Sequence, residues 1–318
     1  MLRARLYDAK SDDREVEVRG DEVRGLTDEQ LLWVDLDERD DAALTDLGEA
    51  LALEPQILSN LRTDSHRPRL VRFDERILIT LGALETAQHE VERRELDVVV
   101  GRNTVVTVHD GPVSALSDFE DQLGGETRLG ALDAGAFMAA LVDSVLAAYF
   151  AEVERIERDI DALDQVALRF NSGDQFLDAV VHLRLRIATV RRALTPNREA
   201  LSPLVRPDFE VRQELGSIWP GIVERLERAI EGVEKARELL VGSLDIYLGR
   251  AAQKSNDVMK LLTLVSAVAL PSIVLAGIMG MNFKLPFFEN SDNFWVVIGS
   301  MVVLALVILG FARWRRWI

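Results

Sequence analysis

The strongest constraint on this chain lies near its end. Leu261 to Phe283 is a run of 23 residues without a charged side chain, and Asn293 to Ala312 is a second run of 20. As helices these measure about 35 and 30 Å, enough to cross a hydrocarbon core of about 30 Å. Two such runs in succession, joined only by KLPFFENSD, read as membrane spans rather than as buried core helices. Lys254 and Lys260 precede the first run, and Arg313, Arg315 and Arg316 follow the second, whereas the connector holds Lys284 against Glu289 and Asp292. Positive-inside logic therefore expects both termini in the cytoplasm and the connector outside. Trp295 at the entry of the second run and Trp314 and Trp317 at its exit suit interfacial anchoring.

Charge separates the spans from what precedes them. From residue 261 onward the bases exceed the acids by two, so residues 1–260 carry −18 of the chain's net −16. With no basic patch to offset it, that body excludes nucleic acid as a partner and suits one that meets cations. There is no cysteine, which removes disulfides, thiolate metal sites and cysteine nucleophiles. MLRARLYDAKSDDREV lacks the apolar core of a signal peptide, so the acidic body is expected to stay in the cytoplasm. No P-loop, dinucleotide fingerprint, nucleophile elbow or triad pattern is present, and the expectation is that the chain is not an enzyme.

LRARLYD, QLLWVDL and RILITLGALE read as strands, and DVVVGRNTVVTVHD as a hairpin turning at Gly101-Arg102-Asn103. DDAALTDLGEALAL and EPQILSNLR have helical spacing, which predicts an α/β domain over residues 1–125. After GGETRLGALDAG the pattern turns helical. One helix is expected from about Phe137 to the break at NSGD, and a second from Asp174 to Leu194. TPNREALSPLVRP, with its three prolines, is a bend or short-helix connector. From Ile222 a third pattern runs into the first span with no proline between Pro220 and Pro271. It predicts one helix of roughly 60 residues, about 90 Å long. The expected divisions are thus 1–125, a helical region over 126–260, and a two-helix membrane domain over 261–318.

Along that helix Asn256, Met259, Leu262, Thr263, Ser266, Leu270, Ile273, Gly277 and Gly280 recur at three- and four-residue steps and form one stripe. Small residues there permit either tight helix packing or a narrow pore. Two helices cannot enclose a water-filled path, so a pore requires several copies around an axis, with membrane lipid on the outside. Gly280 and Asn282 fall at the outer mouth, where a backbone carbonyl and a side-chain amide offer neutral oxygens. Mg²⁺ gives up its water reluctantly, and such a collar suits a hydrated hard cation. Within the spans there is no carboxylate, histidine or cysteine of the kind a soft-metal site uses. Glu289 and Asp292 in the connector would concentrate divalent cations before entry. The metal is cargo, and no cofactor is expected. His66, His89, His109 and His182 show no metal-ligand spacing, and LRLRIATVRR reads as a charged helix face pairing with nearby acids.

Gly280-Met281-Asn282, just before the second span, resembles the GMN signature of the CorA family of divalent-cation channels. The likeness extends through GSLDIYLGRAAQKSNDVMKLLT, Pro271 and the basic C-terminus, and to HRPRLVRFDERILITL and LTPNREALSPL. The resemblance implies an α+β membrane protein of the bacterial inner (plasma) membrane. Its α/β/α cytoplasmic domain and long stalk helix would form a homopentameric funnel. It also implies a selectivity ring at Gly280, Met281 and Asn282, a polar inner ring at Asn256, and a hydrophobic constriction at Met259, Leu262 and Leu270. Asp245 matches an acidic stalk position. The transported ion so implied is Mg²⁺, with Co²⁺ and Ni²⁺ as companions. Gly221 stands where Mg²⁺-regulated members have an aspartate, with Glu224 one turn later, and Ile273 stands where some have a pore threonine. The connector lacks the family's MPEL stretch. These departures keep open the related ZntB branch, which moves zinc coupled to protons. Outside transport, a membrane-anchored structural or signalling protein with dimerising helices remains the alternative.

Overall fold

The computed structural model describes the chain except residues 1, 9, 11–12, 19–22, 24, 64–66, 88–89, 124–132, 170–172, 206–217, 282–291 and 316–318. It divides into two compact units, Met1–Val166 with Ser172–Ser243, and Ala167–Asn171 with Leu244–Ile318.

Among the described residues the first unit contains one seven-stranded sheet. Its strands are β1 (Leu2–Asp8), β2 (Arg14–Glu15), β3 (Gln30–Asp37), β4 (Arg69–Arg72), β5 (Ile77–Ala87), β6 (Glu90–Val100) and β7 (Thr104–His109). They lie in the order β2-β1-β3-β7-β6-β5-β4. β3 and β7 pair in parallel and the other neighbours are antiparallel. β3 is buried from Leu31 to Leu36, because a central strand covered on both faces needs apolar residues on both.

Helices α1 (Asp41–Leu51) and α2 (Pro55–Arg62) cover one face. Asp40 starts α1 by accepting the Ala43 N–H at 3.1 Å, and Pro55 starts α2 at a position that needs no N–H donor. Their Leu44, Leu47, Leu51, Ile57 and Leu61 pack on Leu6, Leu32, Val34, Val106 and Val108. The alternate strand residues Tyr7 and Trp33 point the other way. They meet Phe119 of α3 (Ser114–Leu123) and Phe137 of α4 (Ala134–Arg169), with ring centroids 5.2 to 5.9 Å apart. The layers are therefore α/β/α.

After α4 come α5 (Gly173–Leu194), α6 (Asn197–Leu201), a 3-10 turn (Ser202–Val205) and α7 (Trp219–Met279). Along α7 the buried residues Trp219, Ile222, Leu226, Ala229, Val233, Ala236, Leu240 and Ser243 alternate steps of three and four, a coiled-coil seam. Tyr149, Val153, Ile156, Ile160 and Leu163 repeat this period on α4, as do Leu183, Ile187, Val190 and Leu194 on α5. A Cβ on Gly232 would stand 3.3 Å from Val153 Cγ1, so this glycine marks a close crossing of α7 and α4. The arginine-rich face pairs as expected. Arg186 binds Glu152 at 2.5 Å and Asp159 at 2.6 Å, and Arg191 binds Glu234 at 2.8 Å.

The connector TPNRE ties the sheet to this bundle. β4 pairs with β5 only as far as Thr80, which leaves the outward backbone groups of Gly82 without a strand partner. Asn197 supplies both partners: its Oδ1 accepts the Gly82 N–H at 2.8 Å, and its Nδ2 donates to the Gly82 carbonyl at 3.0 Å. Tyr149 Oη donates to the same carbonyl at 2.7 Å. A Cβ on Gly82 would lie 2.8 Å from the Ala193 carbonyl oxygen, so only glycine fits. The next residue, Arg198, grips Glu227 of α7, with Nε 2.7 Å from Oε1.

Four features were not anticipated, the first being the two-residue strand β2 beside β1. The polar first half of β6, Glu90 to Leu96, forms a strand because β5 pairs with it in register down to Ala87↔Glu90. β4 lacks an alternating pattern, and α3 shows only three turns of apolar spacing.

Asn197→Ala should leave the buried Gly82 N–H without an acceptor, at a cost of about 1–3 kcal/mol. The melting midpoint should fall by about 5 °C, and Gly82→Ala should lower it too. Parent-like midpoints for both variants would remove this joint from the account.

Candidate functional site

α7 continues from Leu244 to Met279 without a break, and α8 spans Asp292–Trp314. Pro220 is tolerated in the first turn, where N–H groups have no acceptor. Pro271 lies inside the helix and deprives the Ala267 carbonyl of its usual donor. Among the described residues three helices are apolar and long enough, by length and composition, to cross a membrane. The apolar window of α4 is 61% buried within the protein, whereas those of α7 and α8 are 0% buried. Burial accounts for the apolar character of α4; nothing among the described residues does so for the other two.

The second unit covers one side of each of these helices. On α7 Leu264, Val268, Pro271, Ser272, Leu275 and Met279 are half-buried, and on α8 Asn293, Val297, Met301, Leu304, Ala305 and Ile308 are. At 100° per residue, the stripe read from the sequence lies about half a turn from the covered side of α7. Met259, Leu262, Ser266, Leu270, Ile273, Gly277 and Gly280 are all exposed, with Met259 at 62% and Ile273 at 66%. Asp245 and Asn256 continue the same line toward the start of the helix and are exposed as well. Val274 beside it is bare as well, as are Leu261 and Val265 nearer the covered side, so a wide sector of α7 awaits neighbours.

The expected mouth is described only in part. α7 ends at Met279, four residues before the apolar run does, because its last turn closes on itself. The Gly280 N–H donates to Ala276 at 3.0 Å, and the Met281 N–H donates to Ile278 at 3.2 Å in a tighter three-residue loop. Met281 is exposed. Asn282 and Glu289 lie outside the described residues, and Asp292 is the first residue of α8. Among the described residues no cluster of three or more histidine or acidic side chains stands ready to hold a metal. Gly221 has open space around its α-carbon, and Glu224 pairs with Arg228 at 3.9 Å.

His109 is the exception among the described histidines. His182 is exposed; His66 and His89 lie outside the described residues. His109 is buried, with Nδ1 2.7 Å from the Gly111 carbonyl and Nε2 3.2 Å from Asp35 Oδ1. Both partners are acceptors, so only the imidazolium donates to both. Asp37 stands 3.6 Å from Nδ1, the Thr107 hydroxyl donates to Asp35 at 2.6 Å, and Arg3 reaches Asp35 at 3.1 Å. Burial opposes charge on His109, but the hydrogen bond and charge of Asp35 outweigh it and raise the histidine pKa above 6.5. Burial likewise opposes charge on Asp35, and the bonds from His109 and Thr107 hold its pKa below the usual carboxylate range.

These features define a class: a sheet-and-bundle unit sharing one long helix with a unit of two bare apolar helices. The family model described as CorA-like Mg²⁺ transporter protein matches residues 28–313, and the chain belongs to this family. The cobalt/magnesium transport protein CorA of Thermotoga maritima is 24% identical over 282 residues, covering 86% of this chain and 79% of that one. The complete CorA magnesium transporter from Methanocaldococcus jannaschii superposes with a TM-score of 0.80 at 21% identity, over 100% of this chain and 99% of that one. The full-length CmaX protein does so with a TM-score of 0.74 at 22% identity, over 98% and 97%. The α/β/α layers, long helix and apolar pair are thus the fold of that family.

His109 fixes a pH dependence. Its raised folded pKa adds stability that is complete below the unfolded value of 6.5 and is lost as pH rises through the folded value. The depressed pKa of Asp35 adds stability that is present above 3.8 and is lost as pH falls through its folded value. The melting midpoint should therefore decline as pH rises above 6.5. His109→Gln should flatten that decline, and an unchanged slope in the variant would assign it to another group.

Proposed function

We propose that this protein is a divalent-cation channel that admits Mg²⁺, with Co²⁺ and Ni²⁺ as companion ions, through a pore shared by several copies of the chain. The observation that carries the reading is the bare line on α7 from Asp245 through Asn256 to Gly280, opposite the side its own unit covers. A line of this kind becomes a conduit when copies close in a ring with lipid outside. In this reading that ring is a pentamer, the number the resemblance to the CorA family implies.

In this reading Gly280, Met281 and Asn282 form the entrance. Backbone and amide oxygens accept hydrogen bonds from water bound to the ion, so the ion is sorted without being stripped. Glu289 and Asp292 raise the local cation concentration, a long-range effect that salt weakens. Met259, Leu262, Leu270 and Ile273 make the dry constriction, Asn256 the polar ring beyond it, and Asp245 an acidic ring in the stalk. Both termini lie in the cytoplasm. The ion is substrate, and its gradient drives passage.

Two departures from the family pattern, Ile273 and the connector KLPFFENSD, favour a second reading, zinc transport coupled to protons. Protein in liposomes with Mg²⁺- and Zn²⁺-sensitive dyes separates the readings. Mg²⁺ entry without a pH gradient is expected; zinc entry raised by a proton gradient supports the second. Asn282→Ala should lower selective Mg²⁺ flux about tenfold or more while assembly is retained. Flux equal to the parent in that variant would reject the entrance assigned to Asn282.

A further inference from the structure

Resting on the reading of α7 as the lining helix, we infer that Ser266 is the polar contact for the hydrated cation within the dry stretch of the conduit. Between Met259 and Ile273 the bare line is apolar except at Thr263 and Ser266. A serine or threonine in a membrane helix ordinarily donates its hydroxyl to a carbonyl of the preceding turn. Thr263 does so to Met259 at 2.8 Å, Ser272 to Val268 at 3.3 Å, and Ser300 to Val297 at 2.7 Å. Ser266 alone among these hydroxyls donates to no described residue, and it is exposed on the side opposite the covered face.

The free hydroxyl has a position to match. Leu262 and Leu270 stand one turn to either side, each about 6 Å away along the axis. Without Ser266, an ion keeping its water would cross from Leu262 to Ile273, about 16 Å, past walls that accept almost no hydrogen bonds. Water held by Mg²⁺ is a strong donor, and a serine oxygen offers two lone pairs. One hydroxyl from each copy thus places a ring of acceptors midway, so the hydration shell is held rather than removed. It provides within the dry stretch the polar step that apolar Ile273 does not.

The test is Mg²⁺ entry into liposomes carrying the full-length protein, followed with an internal dye. Ser266→Ala should slow entry about tenfold, and Ser266→Thr, which restores the hydroxyl, should stay within about twofold of the parent. Ser266→Cys keeps the size with a weaker donor and acceptor and should fall between them. Ser272→Ala removes a hydroxyl on the covered side and should leave entry unchanged. Parent-like entry for Ser266→Ala, or equal losses for Ser266→Ala and Ser272→Ala, would overturn the inference. Asn282→Ala run in parallel separates the levels. If it loses flux while Ser266→Ala does not, only the role of Ser266 fails; if neither variant changes entry, the assignment of α7 to the conduit fails as well.

Discussion

A single helix, α7, has to satisfy two different surroundings with one sequence. From Trp219 to Ser243 it buries a seam of apolar residues at alternating three- and four-residue steps. From Leu244 onward the same helix is at most half-covered on one side, and its opposite side carries Met259, Leu262, Leu270 and Ile273 uncovered. Apolar surface of this extent is not left in water. In the proposed reading lipid covers part of it, and the narrow polar-studded line within it suits neither lipid nor solvent alone. The proposed function follows from asking what does suit that line.

The chemistry of the line then narrows the answer. Its polar atoms are amides, hydroxyls and backbone carbonyls, all neutral, and they are spaced along a chain of aliphatic side chains. Such groups hold water well and bare metal poorly, which matches an ion that travels with its hydration shell. Between Met259 and Gly280 the helix carries no carboxylate; Asp245 lies before that stretch, and Glu289 and Asp292 lie after it. In the proposed reading that arrangement attracts cations without trapping them, a requirement of any path that must release what it admits.

Much of this was legible in the sequence because the signals were periodic. The two apolar runs, the uninterrupted helix from Pro220 past Pro271, and the strands LRARLYD, QLLWVDL and RILITLGALE all announce themselves through spacing. What stayed hidden depends on partners far away in the chain. Glu90 to Leu96 is a strand because β5 lies beside it, and no apolar alternation marks that stretch. Asn197 is a structural keystone because β4 stops short and exposes Gly82, a consequence of topology rather than of local pattern. The bond geometry of His109 likewise needs Asp35, 74 positions away. Within the candidate site the stripe positions were readable, whereas the freedom of the Ser266 hydroxyl was not, since serines at 266 and 272 look alike until their bonds are seen.

The account turns on which face of α7 meets water inside the assembled protein. The chain contains no cysteine, so single cysteines can be introduced without background. The decisive measurement is the rate at which a water-soluble, membrane-impermeant thiol reagent modifies the protein in liposomes, together with the resulting block of Mg²⁺ entry. Cysteines at 259, 262, 266, 270 and 273 should react and block, while those at 264, 268, 272 and 275 should do neither. Equal reactivity on both faces, or silence along the stripe with reaction on the covered side, would contradict a conduit lined by this helix.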